Sequence, residues 1–148
     1  MSQPSLFSDG PGGSATAHID GGSRGNPGPA GYGVRIEQAD GTIVDLKQAL
    51  APCTNNVAEY NGLLAALRWA TGHGIASLRV RSDSELLVKQ MRGEYRVKNP
   101  GLQPLYEEAR ALGRRIGHVT FEHVRRELNT DADRLANEAM DEAQGTSL

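Results

Sequence analysis

The spacing of apolar residues changes partway along the chain, and this change restricts the folds that the chain can adopt. In the first third, apolar residues lie in short extended runs, which predict strands at residues 16–20, 31–38 and 42–50. A turn-forming segment at residues 39–41 separates the second and third strands and predicts an antiparallel hairpin. The N-terminal part of the domain is therefore predicted to be an antiparallel meander.

Helices and strands alternate in the rest of the chain. Helical spacing begins near residue 56 with Tyr60, Leu63, Leu64, Leu67 and Ala70. Further helices are predicted at about 83–91, 102–112 and 131–143, and strands at 78–82 and 118–124. The order βββαβααβα predicts an α/β domain, in which three antiparallel strands followed by parallel strands form a five-stranded mixed sheet with helices on both faces.

Length and composition indicate the domain organisation. The 148 residues suit one compact domain, which we place at residues 16–143. Residues 1–15 are rich in Ser, Gly and Pro with few bulky apolar side chains, so burial cannot offset the entropy lost on ordering them. We therefore expect a mobile N-terminal tail, and a short C-terminal tail at residues 144–148.

The composition disfavours several classes of protein. The chain has no apolar run near the roughly 18 residues that a membrane span needs, and no secretory-signal pattern at its N-terminus. A single cysteine, Cys53, cannot form an internal disulfide and lacks the neighbouring Cys and His residues of a zinc site. The net charge of −2 is not that of a protein that binds nucleic acid through a uniformly basic surface, so any such affinity must be local. We expect a cytoplasmic monomer with no membrane partner.

A Gly-rich stretch follows the first acid of the domain. Asp20 ends the first predicted strand, and Gly21, Gly22 and Gly25 leave the long loop that is predicted to follow it almost without side chains. The missing Cβ atoms would let the backbone of a polymer approach Asp20. The alternative is an ordinary surface turn in which the Asp20 carboxylate caps a bend.

Four acids occupy comparable positions, at or near the ends of predicted elements: Asp20, Glu59, Asp83 and Asp133. In open α/β sheets such ends converge on one crevice. Helix capping is the alternative for three of them, because residues 56–59 and 130–133 resemble capping boxes and Asp83 suits an N-cap. Taken singly, each of these three acids fits capping, whereas the four together favour a shared site.

A shared site of four acids requires a cation. Close carboxylates repel by roughly a kcal/mol or more per pair at an effective dielectric near 20. Oxygen ligands without Cys or clustered His favour Mg²⁺ or Mn²⁺ over zinc. Two such ions about 4 Å apart would clamp a phosphodiester, with one generating the nucleophile and the other stabilising the leaving oxygen.

Four sequence blocks together resemble a known family. They are DGGSRGN at 20–26, TNNVAE at 54–59, SDS at 82–84 and ADRLA at 132–136. In order and spacing these blocks resemble the motifs of type 1 ribonucleases H, and the resemblance covers about residues 16–143. It implies a ribonuclease H-like fold and an endonuclease that cleaves the RNA strand of RNA/DNA hybrids, leaving 5′-phosphate and 3′-hydroxyl ends. It also implies two divalent ions, Mg²⁺ or Mn²⁺, held by the four acids.

The resemblance further implies substrate contacts for a set of small and polar residues: Gly21, Ser23, Gly25, Asn26, Thr54, Asn55, Asn56, Ser84 and Asn99. Thr54 and Asn99 match a phosphate pocket for the DNA strand, and Asn26 and Asn56 match residues that face the minor groove. The RNA 2′-hydroxyls would be recognised by Glu59 and by backbone groups of the Gly-rich stretch. Turn and cap chemistry is the alternative for these polar side chains.

The sequence departs from the best-known bacterial pattern in two places. A short segment before the third helix replaces a basic, Trp-bearing protrusion. Arg92, Arg96 and Lys98 therefore offer fewer phosphate contacts, and we expect weaker binding with a shallower salt dependence. The loop before the last acid lacks its usual His, and Arg126 is our candidate substitute for holding phosphate or assisting product release, because a guanidinium cannot act as a general base near neutral pH. His123 is the competing candidate, although its strand periodicity favours packing.

Overall fold

The computed structural model describes residues 13–145. Its strands are β1 (Ser14–Ser23), β2 (Gly28–Gln38), β3 (Ile43–Cys53), β4 (Ser77–Ser82) and β5 (His118–His123). Its helices are α1 (Asn55–Gly72), α2 (Glu85–Met91), α3 (Gln103–Ile116) and α4 (Thr130–Ala143), with a 3₁₀ turn at Arg126–Leu128. None of these helices combines the length and apolar character that a membrane span requires. β1 includes residues 14 and 15, which the sequence assigned to the N-terminal tail, whereas residues 1–12 and 146–148 lie outside the described residues.

The five strands form one mixed sheet in the order β3-β2-β1-β4-β5. β1 pairs with β2, and β2 with β3, in antiparallel orientation. β1 also pairs with β4, and β4 with β5, in parallel orientation. The predicted order of elements and the predicted mixed sheet are therefore confirmed, and β1 is the strand at which the antiparallel and parallel parts meet.

Helices cover both faces of the sheet, as predicted. A Cβ atom on Gly21 would lie 2.6 Å from the backbone of Ala58 in α1. A Cβ atom on Gly33, which pairs with Asp20, would lie 2.5 Å from the backbone nitrogen of Ala136 in α4. Asp20 and Gly21 are neighbours in β1 and so point to opposite faces. It follows that α1 and α4 pack on opposite sides of the sheet, each against a strand position without a side chain.

The face of α1 that the sequence predicted to be buried forms much of the core. Its apolar residues are each at most 1% exposed: Tyr60, Leu63, Leu64, Leu67 and Ala70. Each large side chain in this group contributes about 1.5–3 kcal/mol by leaving water. Leu135, Ala139 and Met140 are buried in α4 on the other face. Packing in the core therefore holds α1 and α4 against the sheet, and with them Glu59 and Asp133.

The Gly-rich segment is not the loop that the sequence predicted. β1 continues through Gly21 and Gly22, and the turn to β2 spans only residues 24–27. Gly21 pairs with Tyr32 in β2. Pairing with a neighbouring strand outweighs the weak strand propensity of glycine. The prediction of a long loop directly after Asp20 was therefore wrong, and the acid lies within a continuous strand.

Candidate active site

One open groove is lined by all four predicted acids, Asp20, Glu59, Asp83 and Asp133. Asp20 lies in β1, Glu59 in α1, Asp83 between β4 and α2, and Asp133 in the first turn of α4. The groove thus lies where β4 ends and α4 begins, on one side of the molecule. The predicted convergence is observed, and the chemical role of the acids stays a prediction at this point.

A close contact between β1 and α1 brings Glu59 to the groove. A Cβ atom on Gly21 would lie 2.6 Å from the carbonyl oxygen of Ala58 and 2.7 Å from the amide nitrogen of Glu59. Because glycine has no Cβ, α1 can approach the strand this closely. Gly21 therefore has a packing role that the sequence did not indicate, and its predicted contact with substrate stays a prediction.

Glu59 does not cap its helix. The N-cap of α1 is Thr54, whose hydroxyl accepts a hydrogen bond from the backbone N–H of Val57 at 3.3 Å. Glu59 lies beyond the first turn, which contains no acidic residue. The predicted position of Glu59 in the first turn and the capping box at residues 56–59 were therefore wrong, because the helix begins earlier than expected.

The capping alternative also fails for the other two helices. Ser84, rather than Asp83, is the N-cap of α2, and its hydroxyl accepts from the N–H of Leu87 at 3.2 Å. Asn129 is the N-cap position of α4 and makes no side-chain capping bond, so Asp133 is not part of a capping box. The carboxylates of Asp83 and Asp133 do not cap these helices, and both residues line the groove.

The environment of Asp20 disfavours its charged form. Burial, followed by the charge of Asp83 and the proximity of Asp133, raises the pKa of Asp20 to about 8. The N–H of Gly21 donates to the Asp20 carboxylate at 2.9 Å and opposes this rise. Near neutral pH, Asp20 is therefore either protonated or ionised with a cation beside it.

Two neighbouring acids have the same tendency. Burial raises the pKa of Glu59 to about 7, with the Asp83 charge adding to the rise and a hydrogen bond from Ser84 opposing it. Burial also raises the pKa of Asp83, while the charge of Arg126 opposes this rise and the charge of Asp133 adds to it. Three of the four acids therefore carry their negative charge at a cost in free energy.

The donor set fits a divalent cation. All four side chains offer carboxylate oxygens. A bound cation would offset the desolvation and the repulsion that raise the pKa of three of them. Residues 13–145 contain no group of three or more His, Cys, Asp or Glu side chains already arranged to hold a metal ion. Magnesium usually takes only one or two protein carboxylates and completes its coordination with water and substrate phosphate. The observed groove is therefore compatible with such an ion.

Arg126 and His123 both line the groove. The guanidinium Nε of Arg126 lies 3.9 Å from Oδ2 of Asp83, and the Arg126 side chain is 84% exposed. His123 is exposed at the end of β5, so the expectation that it packs in the core was wrong. The strand ends before the His123 side chain can be covered by a helix, and both candidates for the missing loop His remain available.

Comparisons with known proteins identify the family. A family model described as reverse transcriptase-like matches residues 18–139. The bifunctional protein Rv2228c of Mycobacterium tuberculosis is 52% identical over 126 residues, which cover 84% of this chain and 35% of that protein. Ribonuclease HI of Halobacterium salinarum is 41% identical over 133 residues, which cover 89% of this chain and 67% of that protein. The chain belongs to the ribonuclease H family.

Solved structures agree with this assignment of family. The N-terminal RNase H domain of Rv2228c superposes with a TM-score of 0.87 at 47% identity, covering 92% of this chain and 99% of that one. LC11-RNase H1, solved in complex with an RNA/DNA hybrid, superposes with a TM-score of 0.82 at 40% identity, covering 88% and 99%. The chain spans about a third of the length of its mycobacterial relatives, at 35%. The ribonuclease H fold and family expected from the sequence are confirmed.

Within this ribonuclease H domain, hydrogen bonds join three of the predicted substrate residues. The N–H of Asn55 donates to Oδ1 of Asn26 at 2.9 Å, and the N–H of Ser23 donates to Oδ1 of Asn55 at 2.7 Å. Both side-chain carbonyl oxygens are therefore engaged by backbone. The amide NH₂ groups of Asn26 and Asn55 are the parts of these side chains left to donate to a nucleic acid.

The predicted substrate residues divide into two groups. Those that line the groove are Gly21, Ser23 and Asn55. Those that do not line it are Gly25, Asn26, Thr54, Asn56, Ser84 and Asn99. Asn99 uses its Oδ1 to accept from the N–H of Gly101 at 2.7 Å, which is the turn chemistry that the sequence left open. The roles of these outlying positions in substrate binding stay predictions.

Several residues that line the groove were not predicted as site residues, among them Arg24, Asn137 and Met140. Nη1 of Arg24 lies 2.5 Å from Oδ1 of Asp141, and its guanidinium also donates to Gln144 and, at 3.2 Å, to Oδ1 of Asn137. A Cβ atom on Gly22 would lie 3.2 Å from the Met140 side chain. These contacts join the end of β1 and the turn after it to α4, which is distant in the sequence. No local sequence pattern indicates them.

Proposed function

We propose that this chain is an endoribonuclease that hydrolyses the RNA strand of RNA/DNA hybrids. The observation that carries the proposal is that four acids from separate parts of the chain line one groove within a ribonuclease H fold. The complex of LC11-RNase H1 with an RNA/DNA hybrid supports the choice of substrate. We also propose that the domain acts as a cytoplasmic monomer, which light scattering and cell fractionation would check.

Asp20, Glu59, Asp83 and Asp133 are the residues that would hold two divalent ions, Mg²⁺ or Mn²⁺, when substrate is present. When bound, the ions supply Lewis-acid stabilisation of an in-line displacement that leaves a 5′-phosphate and a 3′-hydroxyl. The carboxylates of Asp20, Glu59 and Asp83 favour such cations because burial makes each of them costly to ionise alone. The acids thereby concentrate positive charge where the scissile phosphate must lie.

The chain's own donors would align the hybrid over the acids. The NH₂ groups of Asn26 and Asn56 would donate to base-edge acceptors in the minor groove, which allows binding without a fixed sequence, and the NH₂ group of Asn55 would also contact substrate. Backbone groups near Ser23 would contact the 2′-hydroxyls that distinguish RNA from DNA. Arg126, which is exposed and close to Asp83, would hold a phosphate or assist product release.

Cleavage assays with labelled duplexes test the proposal. We expect the purified protein to cut RNA/DNA hybrids with Mg²⁺ and not with EDTA, and to leave DNA/DNA intact. Asp83→Asn should lower the rate at saturating Mg²⁺ by about 100-fold or more, because it removes one ligand charge from the site. Asp45→Asn is a matched control, since Asp45 pairs with Arg35 on the exposed part of the sheet and does not line the groove.

Each contrary outcome has a distinct meaning. An unchanged rate for Asp83→Asn would show that Asp83 is not part of the metal site. Equal cleavage of RNA/RNA or DNA/DNA would favour an enzyme with a different nucleic-acid substrate. Tight hybrid binding without Mg²⁺-dependent turnover would identify a catalytically silent binding module and contradict the proposal.

A further inference from the structure

One buried asparagine lies between two of the four acids. Asn129, at the start of α4, is 1% exposed. Its Nδ2 donates to the carbonyl oxygen of Ile19 in β1 at 2.9 Å, and Ile19 directly precedes Asp20. Its own backbone carbonyl accepts from the N–H of Asp133 at 3.0 Å. Asn129 therefore joins the backbone beside one acid to the backbone of another.

The other end of the same side chain has no partner. Within residues 13–145, Oδ1 of Asn129 is the one buried side-chain nitrogen or oxygen without a hydrogen bond. Rotating the amide by half a turn would point Oδ1 at the carbonyl oxygen of Ile19, so the observed orientation is the favourable one. A buried acceptor without a donor costs stability. Asn129 is thus a poor choice for packing alone, whereas its Nδ2–H makes a contact that an apolar residue could not.

We propose that Asn129 is a positioning residue that sets the distance between Asp20 and Asp133 by holding the end of β1 against the start of α4. The inference rests on the proposed function, because it assigns Asn129 to the geometry of that site. Asn129 is buried and does not line the groove, so it would not touch substrate. It acts through Ile19 and through the first turn of α4, in the way that residues behind metal ligands orient them.

The alternative is that Asn129 only fills space, and a second buried amide provides the matched control. Gln90 is 6% exposed, and its Oε1 accepts from the hydroxyl of Tyr60 at 2.7 Å. It joins α2 to α1 and does not line the groove. Replacing Gln90 removes a buried hydrogen bond of similar quality without altering the link between Asp20 and Asp133.

The test compares Asn129→Leu and Asn129→Ala with Gln90→Leu. The leucine keeps most of the volume and the alanine opens a cavity, while both lose the bond to Ile19. We expect both to lower kcat on an RNA/DNA hybrid by about 10- to 100-fold, with KM nearly unchanged. The Mg²⁺ concentration that gives half of the full rise in melting temperature should increase severalfold in both. Gln90→Leu should lower the melting temperature while kcat and the Mg²⁺ midpoint stay at the wild-type values.

Wild-type kcat and Mg²⁺ midpoint in a folded Asn129→Leu would overturn the inference. So would a loss of kcat that Gln90→Leu reproduces at equal stability. If neither Asn129 variant folds, NMR of the wild-type protein decides: slow solvent exchange and a Mg²⁺-induced shift of the Asn129 side-chain NH₂ support the inference, and fast exchange contradicts it. A wild-type protein that does not cleave hybrids refutes the proposed function instead, while the Mg²⁺ midpoint still reports on Asn129.

Discussion

At the scale of single residues, Asp20 couples stability to pH. Its pKa is raised from 3.8 to about 8, first by burial and then by the Asp83 charge. The folded protein therefore holds this proton more tightly than the unfolded chain. The associated stability is complete below pH 3.8 and is lost as pH rises towards about 8.

Asp20→Asn should remove this penalty. We expect the variant to melt at a higher temperature than the metal-free wild type, by a margin that widens from about pH 5 to pH 8 and then stays constant. Melting curves in EDTA across this range would measure the margin. Adding Mg²⁺ should narrow it, because the cation stabilises the ionised carboxylate of the wild type. A margin that does not change with pH would contradict the raised pKa.

The acids could be predicted from the sequence, whereas the residues that hold them could not. Asp83 and Asp133 lie at or near the ends of elements that periodicity locates, and Asp20 lies within a strand that periodicity also locates. Gly21 was assigned to substrate approach, but the backbone that needs its missing Cβ belongs to Ala58 in another element. The bond from Asn129 to a carbonyl in β1 likewise depends on tertiary structure, which no local pattern indicates.

At the scale of elements, the turn between β1 and β2 is fixed from two sides. Asn26 and Asn55 join it to the start of α1, and Arg24 joins it to Asp141 in α4. The Arg24 and Asp141 side chains are 33% and 51% exposed, so solvent weakens their attraction. The ion pair is thus suited to orienting the turn and contributes little to overall stability.

A double-mutant cycle tests this role of Arg24. We expect Arg24→Ala to raise KM for hybrid by no more than about fivefold, which is the scale of an exposed ion pair, with kcat nearly unchanged. Asp141→Ala should have a similar effect, and the double variant should be no worse than either single one. Arg134→Ala is the control, because Arg134 pairs with Glu138 within the same helix. Additive effects would show that the two side chains act independently.

The type and order of the elements followed from the sequence, but two boundaries that matter for the site did not: the end of β1 and the start of α1. Helical spacing located α1 because the apolar residues of its buried face repeat over several turns. The end of β1 was misplaced because its glycines resemble a turn when they are considered alone. Their pairing with β2 depends on a partner strand whose register local propensity does not reveal.

At the scale of the whole molecule, charge should set how the domain holds a duplex. The net charge is −2, so attraction to phosphate must come from local groups of cations. Between α2 and α3, Arg92 donates to the carbonyl of Phe121 at 2.9 Å and lies near Glu94. Arg96 and Lys98 are exposed and form no ion pair within the part of the chain that the structure describes. These two side chains are the ones in this segment most able to contact phosphate.

The salt dependence of hybrid binding would measure that contribution. Each phosphate contact adds about 0.9 to the slope of log affinity against log salt, so we expect Arg96→Ala/Lys98→Ala to reduce the slope by up to about 2. Fluorescence anisotropy between roughly 50 and 200 mM salt, with metal omitted to prevent cleavage, covers the useful range. Arg114→Ala/Arg115→Ala removes the same charge from the last turn of α3, at the end of the sheet away from the groove, and should leave the slope nearly unchanged. An equal fall in both double variants would mean that net charge, rather than a local contact, attracts the duplex.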